Sequence, residues 1–291
     1  MIQRRPLAAL AFVLPAVAIY LILIIYPLLQ GGWLSLTDSE IGNAANFVGV
    51  ANFAHAAADS TVREAIVTTI SYAAVVVIVQ NLIGLALARA LYNRPKIRQA
   101  VSVLILLPTL MSAVMAGFVW SSLYSPDGAI NALLRAVGFA GVTRVWLGDP
   151  STALWAIALV NVWMFCGYSA AIFLAGYMNM PAEITEAATL DGASGFRRFW
   201  SVEWPLLAPA LTVNVTLALI GSLKVFELPL VLTNGGPAGS TTTLSILIYQ
   251  KIFGGQGTFA YGATIALILL AIVVIFAMGA QTVLRRRERR I

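Results

Sequence analysis

The sequence predicts an all-α integral membrane protein built on six transmembrane helices. Of its 291 residues, 60% are hydrophobic and only 10% are charged, whereas a typical soluble domain carries about 25% charged residues. The mean hydropathy is +0.88. The chain also contains six continuous apolar runs, each long enough to provide the roughly 20 residues that a helix needs to cross the hydrocarbon core. Lys and Arg are concentrated in alternate segments between these runs, as orientation in a membrane requires.

Each apolar run is expected to be helical, because lipid offers no partner to a free N–H or C=O group. The hydrophobic residues are continuous rather than alternating, which disfavours a β-barrel. The first run is too long and too poor in a small-residue cleavage site for a typical signal peptide. Pro15, Pro27 and Pro108 are predicted to kink or end helices. The predicted spans are Leu7–Leu29, Ala65–Leu91, Ala100–Leu123, Ser151–Met178, Leu206–Leu232 and Tyr261–Leu284.

The positive charges predict the orientation of the spans. The net charge is +6, with 18 Lys and Arg residues. One set of segments carries Arg4, Arg5, Arg89, Arg94, Lys96, Arg98, Arg197, Arg198, Arg285, Arg286, Arg287, Arg289 and Arg290, and the opposite set carries Arg63, Arg135, Arg144 and Lys251. By the positive-inside rule both termini and the loops 92–99 and 179–205 are cytoplasmic. The basic carboxyl-terminal tail is interpreted as an anchor of this kind and not as a nucleic-acid patch.

The cytoplasmic segment of about residues 179–205 is longer than a connector needs to be, and its pattern predicts two short helices. Pro181 suits a first helical position, and Gly192 is placed to end the first helix. Ser194 is positioned to cap a second helix. Two interpretations remain open from this pattern: an amphipathic pair on the bilayer surface, or a docking element whose small residues let another protein approach closely.

A resemblance decides between them. Glu186-Ala187-Ala188, then Gly192 after three residues and Pro205 further on, resembles the EAA loop of binding-protein-dependent ABC importer permeases. The string EAATLDGASGFRRF is similar to the carbohydrate-uptake branch of that family. Two positions depart from the common pattern, where Val202 and Trp204 replace the usual Ile and Leu.

The resemblance extends over nearly the whole chain. Residues 47–49 with 52–53 resemble the FVG-x-x-NF segment of the family, and residues 233–237 with 240–242 resemble its TxGGP segment. Tyr249 and Phe253 match its usual spacing. The chain looks like the larger maltose-type permease subunit without that protein's extra helices or large outside domain.

The resemblance implies a six-helix type I importer permease, with residues 1–291 as one transmembrane domain, in a bacterial or archaeal cytoplasmic membrane. It implies a heterodimer with a second permease, two copies of an ATPase, and an extracytoplasmic solute-binding protein. The chain contains no GxxxxGK[ST] phosphate loop, so ATP would be bound by the partner ATPase, and the chain is expected to have neither a cofactor nor an enzymatic activity. The implied ATPase contacts are Glu186, Ala187, Ala188, Asp191 and Gly192.

Candidate substrate residues lie on the fourth and fifth spans. Asn161, Phe165 and Tyr168 share one helical face by their spacing, and the resemblance adds Ser222 as a matching position. Phe165 and Ser222 differ from the residues of the maltose-type family at these positions, so the resemblance does not imply which sugar is transported. Lys224 lies three residues before Glu227, and an ion pair on one helix face is the favoured interpretation, with a gate or an anion contact as the alternative. Interhelical packing is the competing role for all these polar groups.

Three other functions compete with this interpretation. A stand-alone secondary transporter would need acidic residues in several spans, and Glu227 is the only candidate. A membrane enzyme would need a catalytic cluster, but the chain has one His, one Cys and no HExxH motif. The same machinery importing glycerol 3-phosphate or a related polyol phosphate would need basic groups along the path, where Lys224 stands alone. The sequence therefore favours a neutral sugar.

Overall fold

The computed structural model describes residues 6–40, 46–254 and 259–288, and within these the chain is almost entirely helical. The predicted positive-inside residues Arg4, Arg5, Arg289 and Arg290 lie outside the described residues. Extended pairing among the described residues is limited to one bridge between Thr37 and Phe47. The α-helices are α1 (Pro6–Tyr20), α2 (Tyr26–Leu34), α3 (Ala51–Ala58), α4 (Ser60–Tyr92), α5 (Pro95–Leu106), α6 (Ala113–Leu123), α7 (Ala129–Ala136), α8 (Ala153–Met178), α9 (Ala182–Leu190), α10 (Gly195–Arg198), α11 (Trp204–Leu206), α12 (Ala208–Leu223), α13 (Glu227–Thr233), α14 (Leu244–Phe253) and α15 (Phe259–Glu288).

Four helices are long and apolar enough to cross a membrane by themselves: Phe12–Leu34, Ser60–Tyr92, Ala153–Met178 and Phe259–Glu288. The first of them joins α1 and α2 through a π-helical turn at Leu21–Ile25. Two further candidates are bent pairs, in which Pro95–Leu110 meets Ala113–Leu123 at 95° and Gly195–Leu206 meets Ala208–Leu223 at 70°. The predicted six spans therefore agree with the structure when each bent pair counts as one span.

The third predicted span is bent at Pro108, where the sequence predicts a kink or a helix end. After α5 the chain forms a 3-10 turn at Leu107–Leu110 that contains Pro108, and Met111 is then extended. The Ser112 hydroxyl accepts a hydrogen bond from the Met115 N–H at 3.2 Å and begins α6. Proline lacks an N–H donor and disfavours a helical conformation in the residue before it, while an N-terminal serine stabilises a new helix. Both local effects favour a break at this position.

The fifth predicted span is also interrupted. Helix α12 ends at Leu223, Lys224 leaves the helical conformation, and α13 begins only at Glu227. The predicted ion pair between Lys224 and Glu227 on one helix face is therefore wrong, because Lys224 lies beyond the end of α12 and Glu227 begins another helix. No ion pair joins these two described side chains.

Contacts between residues divide the chain into two compact units, residues 1–63 with 247–268 and residues 64–246 with 269–291. In the first unit, the Asn52 amide donates to the carbonyl oxygens of Ser35 and Thr37 at 2.9 and 2.7 Å. The Tyr261 hydroxyl donates to the Asp59 carboxylate at 2.7 Å. The Asn52 bonds connect α3 to the segment that follows α2. The Tyr261 bond connects α15 to the residue that precedes α4.

Helix α8 lies at the centre of the second unit, and 56% of the residues in its most apolar 18-residue stretch are buried. Glycines allow its neighbours to approach closely, which is how helices pack in membranes. A Cβ atom on Gly84 of α4 would lie 2.7 Å from the Cβ of Ser169, and one on Gly176 of α8 would lie 2.9 Å from the Cβ of Ala210 on α12. Helices α4, α8 and α12 are thereby held together around the cavity described next.

Candidate functional site

The second unit contains a cavity of about 320 Å³ between α4, α8, α12 and α13. Pockets that hold small ligands usually range over about 300–1,000 Å³. Its lining includes all five substrate-pathway residues predicted from the sequence, which are Asn161, Phe165, Tyr168, Ser222 and Lys224. Residues of two spans, more than 50 positions apart in the sequence, therefore line the same cavity.

Helix α8 presents polar and aromatic groups to this cavity. Asn161 is 9% exposed, while Tyr168 is 43% exposed in the single chain. Phe165 lies between them in sequence and packs in part against the hydrophobic core. A ring face beside an amide is the combination that binds the apolar face and the hydroxyl groups of a sugar.

Hydrogen bonds between helices support the wall behind these residues. The Gln80 amide of α4 donates to the Ser169 hydroxyl at 2.8 Å, and the Asn214 amide of α12 donates to the Ser169 carbonyl oxygen at 3.1 Å. Gln80, Ser169 and Asn214 also line the cavity. Sequence reasoning did not single out Gln80, although a polar amide inside an apolar run is the signal that could have identified it.

The break between α12 and α13 contributes the charged part of the wall. Lys224 and Glu227 both line the cavity and are exposed in the single chain. Ser222, by contrast, is buried, and its hydroxyl donates to the Ala218 carbonyl oxygen at 2.7 Å. The donor of Ser222 is therefore engaged within its own helix, and only acceptor capacity remains for a ligand.

The predicted coupling residues lie on α9 and at its end. Glu186, Ala187, Asp191 and Gly192 are exposed, and Ala188 is 9% exposed. Gly192 has a φ of +73°. The Gly192 N–H bonds to the Thr189 carbonyl oxygen at 3.1 Å and the Ala193 N–H bonds to the Ala188 carbonyl oxygen at 2.9 Å, which is the Schellman arrangement that glycine favours. Gly192 therefore ends the helix as its position predicts.

The beginnings of the two short helices differ slightly from the prediction. Pro181 precedes α9 as its N-cap residue instead of occupying the first helical position. Ser194 stands at the N-cap of α10, but its side chain makes no capping hydrogen bond. The two-helix pattern itself is present.

Large apolar side chains project from this loop. Leu190 is 89% exposed and Phe196 is 75% exposed, and Ile184 and Trp200 are also exposed. Exposed apolar side chains concentrated in one short segment of the chain indicate an interaction surface. This surface is called the loop patch below and consists of Ile184, Leu190, Phe196 and Trp200.

Trp204, at the position where the family commonly has Leu, has identifiable neighbours. Its ring lies 5.7 Å from that of Trp200 and 6.1 Å from that of Phe199, centroid to centroid. The Arg287 guanidinium lies 4.5 Å above the Trp204 ring, a cation–π contact. This partner could not be predicted from the sequence, because Arg287 follows 83 residues later.

Glu203 forms a charge network that sequence analysis missed. Its side chain is 4% exposed, one carboxylate oxygen lies 2.9 Å from Arg198 Nε, and the other lies 3.2 Å from Arg89 Nε. The Tyr177 hydroxyl also donates to Glu203 at 3.2 Å. This set of four residues is called the Glu203 network below. It joins the ends of α4 and α8 to the segment that contains α10.

The Glu203 network also borders a cleft of about 550 Å³ that reaches α9. Glu186, Thr189, Arg198 and Glu203 are among its lining residues. The predicted coupling residue Glu186 and the buried Glu203 therefore lie on the walls of one cleft. Among the described residues there is no group of His, Cys, Asp and Glu side chains arranged to hold a metal ion.

Comparison with known proteins identifies the family. Residues 80–290 match the family described as "binding-protein-dependent transport system inner membrane component". The chain is 32% identical over 268 residues to the trehalose/maltose transport system permease protein of Thermococcus litoralis, covering 91% of this chain and 90% of that protein. It is also 32% identical over 270 residues to the lactose transport system permease protein of Rhizobium radiobacter, covering 91% of this chain and 90% of that protein.

The fold has a counterpart among solved structures. A chain of a bacterial alginate ABC transporter, crystallised with an alginate pentasaccharide-bound periplasmic protein, matches with a TM-score of 0.85 and 20% identity over 98% of this chain and 96% of that chain. The predicted all-α importer permease fold is confirmed by this similarity, and the resemblance drawn from the EAA loop is confirmed by the family match. The chain belongs to the family of binding-protein-dependent transport system inner membrane components, the membrane-spanning permeases of ABC importers.

Proposed function

We propose that this chain is the permease subunit of an ATP-driven importer that moves a neutral carbohydrate into the cytoplasm. The observation that carries the proposal is the 320 Å³ cavity, whose walls combine the Phe165 and Tyr168 rings with the amide of Asn161. The relatives named for trehalose/maltose and lactose transport support the same class of solute.

The charge on the cavity wall argues against a phosphate-bearing solute. Lys224 and Glu227 are the charged residues among those that line the cavity in the described chain, and their formal charges cancel. A phosphate group is normally held by a surplus of Arg, Lys or backbone N–H donors. A cavity with one charge of each sign instead suits a polyhydroxylated neutral ligand, which both accepts and donates hydrogen bonds.

The loop patch supports coupling to a separate ATPase. Leu190 and Phe196 project from the loop, and Glu186 and Ala187 are exposed beside them. An apolar surface with a fixed charge beside it provides both contact area and register for a protein partner. We infer that two ATPase subunits, a second permease and an extracytoplasmic binding protein complete the importer, with both termini and residues 179–205 in the cytoplasm.

The first test is ATP-dependent uptake by the complex reconstituted with its partner chains and binding protein. Radiolabelled maltose, trehalose, lactose and glycerol 3-phosphate are the probes. We expect uptake of at least one disaccharide that requires ATP and persists when ion gradients are collapsed. Uptake driven by an ion gradient without ATP would favour a secondary transporter, and selective uptake of glycerol 3-phosphate would reject the neutral-sugar assignment.

The second test uses the double variant Glu186→Lys with Gly192→Asp. It is expected to insert normally but to lose both the co-purified ATPase and uptake. The control is Asp127→Lys, which makes the same charge change as Glu186→Lys at a side chain that is 98% exposed in the segment between α6 and α7, and it should retain the ATPase. If the double variant also retains the ATPase and uptake, the loop is a surface helix pair on the bilayer and the coupling role is rejected.

A further inference from the structure

Glu203 is a buried carboxylate to which three other elements of the second unit contribute a partner. Arg198 comes from the predicted cytoplasmic segment 179–205, which is called the coupling loop below. Arg89 lies in the last turn of α4, and Tyr177 lies in the last turn of α8. Both carboxylate oxygens are engaged, and the side chain is almost completely removed from solvent. A buried carboxylate is tolerated when it is paired in this way, so the loop position and the two span ends depend on one group.

Arg89 makes further contacts with the coupling loop. One of its Nη atoms donates to the Gly195 carbonyl oxygen at 3.0 Å. Its guanidinium also lies 4.6 Å above the Phe199 ring. Arg89 therefore contacts the loop at both ends of α10, at Gly195, its first residue, and at Phe199, which follows it. It can hold this position because Glu203 balances its charge.

The network contrasts with α9, which carries most of the predicted ATPase contacts. The residues of α9 are mostly exposed, and Ala188 is its buried member. A displacement of such a loop could be absorbed by local bending before it reached the spans. The Glu203 network is the rigid connection that would prevent this, because charge-assisted hydrogen bonds to a buried carboxylate are strong and directional.

We propose that Glu203 is a positioning residue for energy coupling: it locks the coupling loop to the cytoplasmic ends of α4 and α8, so that movement of the loop moves these spans. The proposal rests on the proposed function as an ATP-driven importer. It goes further by assigning transmission to a residue outside the ATPase-contact set, at a position between Val202 and Trp204 that the EAA resemblance leaves unspecified.

The test uses Glu203→Gln in the fully assembled and reconstituted complex, with the disaccharide that the wild type imports as the probe. The substitution leaves Arg89 and Arg198 facing each other without a counter-charge. We expect the ATPase to co-purify and to hydrolyse ATP within about twofold of wild type, while uptake falls at least about tenfold, because a buried ion network loses its central charge. The number of ATP molecules hydrolysed per imported sugar should therefore rise at least about fivefold.

Two further variants separate positioning from folding. Glu203→Asp keeps the charge and should restore uptake to within about threefold of wild type. The double variant Glu203→Gln with Arg198→Met removes one of the two uncompensated cations and should import better than Glu203→Gln alone. The matched control is Glu183→Gln, the same chemical change at an exposed residue of α9, which should leave the ATP-to-sugar ratio unchanged.

The outcomes distinguish the alternatives. If Glu203→Gln lowers assembly, hydrolysis and uptake together at a constant ATP-to-sugar ratio, Glu203 serves folding and the positioning role is overturned. An unchanged ratio with full uptake overturns it as well. If wild-type uptake does not require ATP, the importer mechanism itself falls and the coupling role falls with it.

Discussion

Substitution of Gly167 by alanine tests a close contact between two helices in the second unit. Gly167 lies on α8 between Phe165 and Tyr168, and it is buried. A Cβ atom added there would overlap the Ile105 carbonyl oxygen and lie 2.6 Å from its carbonyl carbon. These are backbone atoms of α5, so no side-chain rotation can relieve the contact and one of the two helices must move.

The expected cost follows from two opposing effects. Overpacking of a dense interior costs about 1–3 kcal/mol, and replacing a helical glycine by alanine returns about 1 kcal/mol of helix propensity. Because the clash is with backbone atoms, the overpacking cost should lie in the upper part of its range, about 2–3 kcal/mol, and the net destabilisation should be about 1–2 kcal/mol. For a chain of this size that lowers the apparent Tm by roughly 2–6 °C. The Thr109 hydroxyl, which donates to the Met164 carbonyl oxygen at 2.6 Å, would be displaced by the same movement.

The assay is thermal unfolding of the purified permease in detergent, followed by tryptophan fluorescence at one fixed scan rate. Gly279→Ala is the matched control, because Gly279 lies in α15 with nothing within 4 Å of an added Cβ. That control should keep or raise the apparent Tm. If Gly167→Ala behaves like Gly279→Ala, α5 and α8 do not approach each other as described, and the arrangement of the cavity wall must be revised.

Three further predictions concern the loop and the outer segment. Gly192→Ala places a side chain at a φ of +73° in open space, so it should cost about 1 kcal/mol by backbone strain alone and weaken ATPase co-purification; unchanged association would contradict this. Trp204→Leu removes the contact with Arg287 and should destabilise the chain by about 0.5–2 kcal/mol, measured against Trp155→Leu, an exposed ring with no such partner. Partial burial raises the pKa of Asp59, but the hydrogen bonds from Tyr261 and Thr61 outweigh it and hold the pKa below its usual 3.8. The stabilising contribution of the Asp59 carboxylate is therefore complete above pH 3.8 and is lost as the pH falls through the lower pKa of the folded state. Asp59→Asn should lower the apparent Tm at neutral pH by the equivalent of less than about 1 kcal/mol, and the difference from wild type should be smaller near about pH 3. A difference in Tm that grows on acidification would contradict this prediction.

The number of spans could be predicted from the sequence, but only one of the two breaks within them could. Hydropathy adds up side-chain transfer energies along a run and is insensitive to the direction of the backbone. Pro108 marks the break in the run 100–123, whereas the run 206–232 looked like a single helix. The break after Leu223 depends on the non-helical conformation of Lys224, which its residue type does not reveal. The Lys224–Glu227 prediction failed for this reason, since helical spacing has no meaning across a break.

The two candidate sites differ in what the sequence reveals about them. The cavity residues could be found because polar groups in apolar runs are conspicuous, and a 3.6-residue period places Asn161, Phe165 and Tyr168 on one face. Glu203 could not be found in this way. It lies five residues from Arg198, which is not a helical pairing distance, and its other charged partner, Arg89, is separated from it by more than 100 positions.

Helix α8 connects the two sites within one element. Tyr177 of α8 contacts Glu203, and Phe165 of the same helix lines the cavity. These two residues are twelve positions apart, which is roughly 18 Å along a helix that rises 1.5 Å per residue. The intervening part of α8 contains no proline, and Gly167 and Gly176 are held against neighbouring helices. A displacement applied at the Glu203 network should therefore be carried to the cavity wall as movement of a stiff rod. This is the physical reason why Glu203→Gln should separate ATP hydrolysis from transport, whereas a substitution in the cavity should change the choice of sugar and leave the ATP-to-sugar ratio intact.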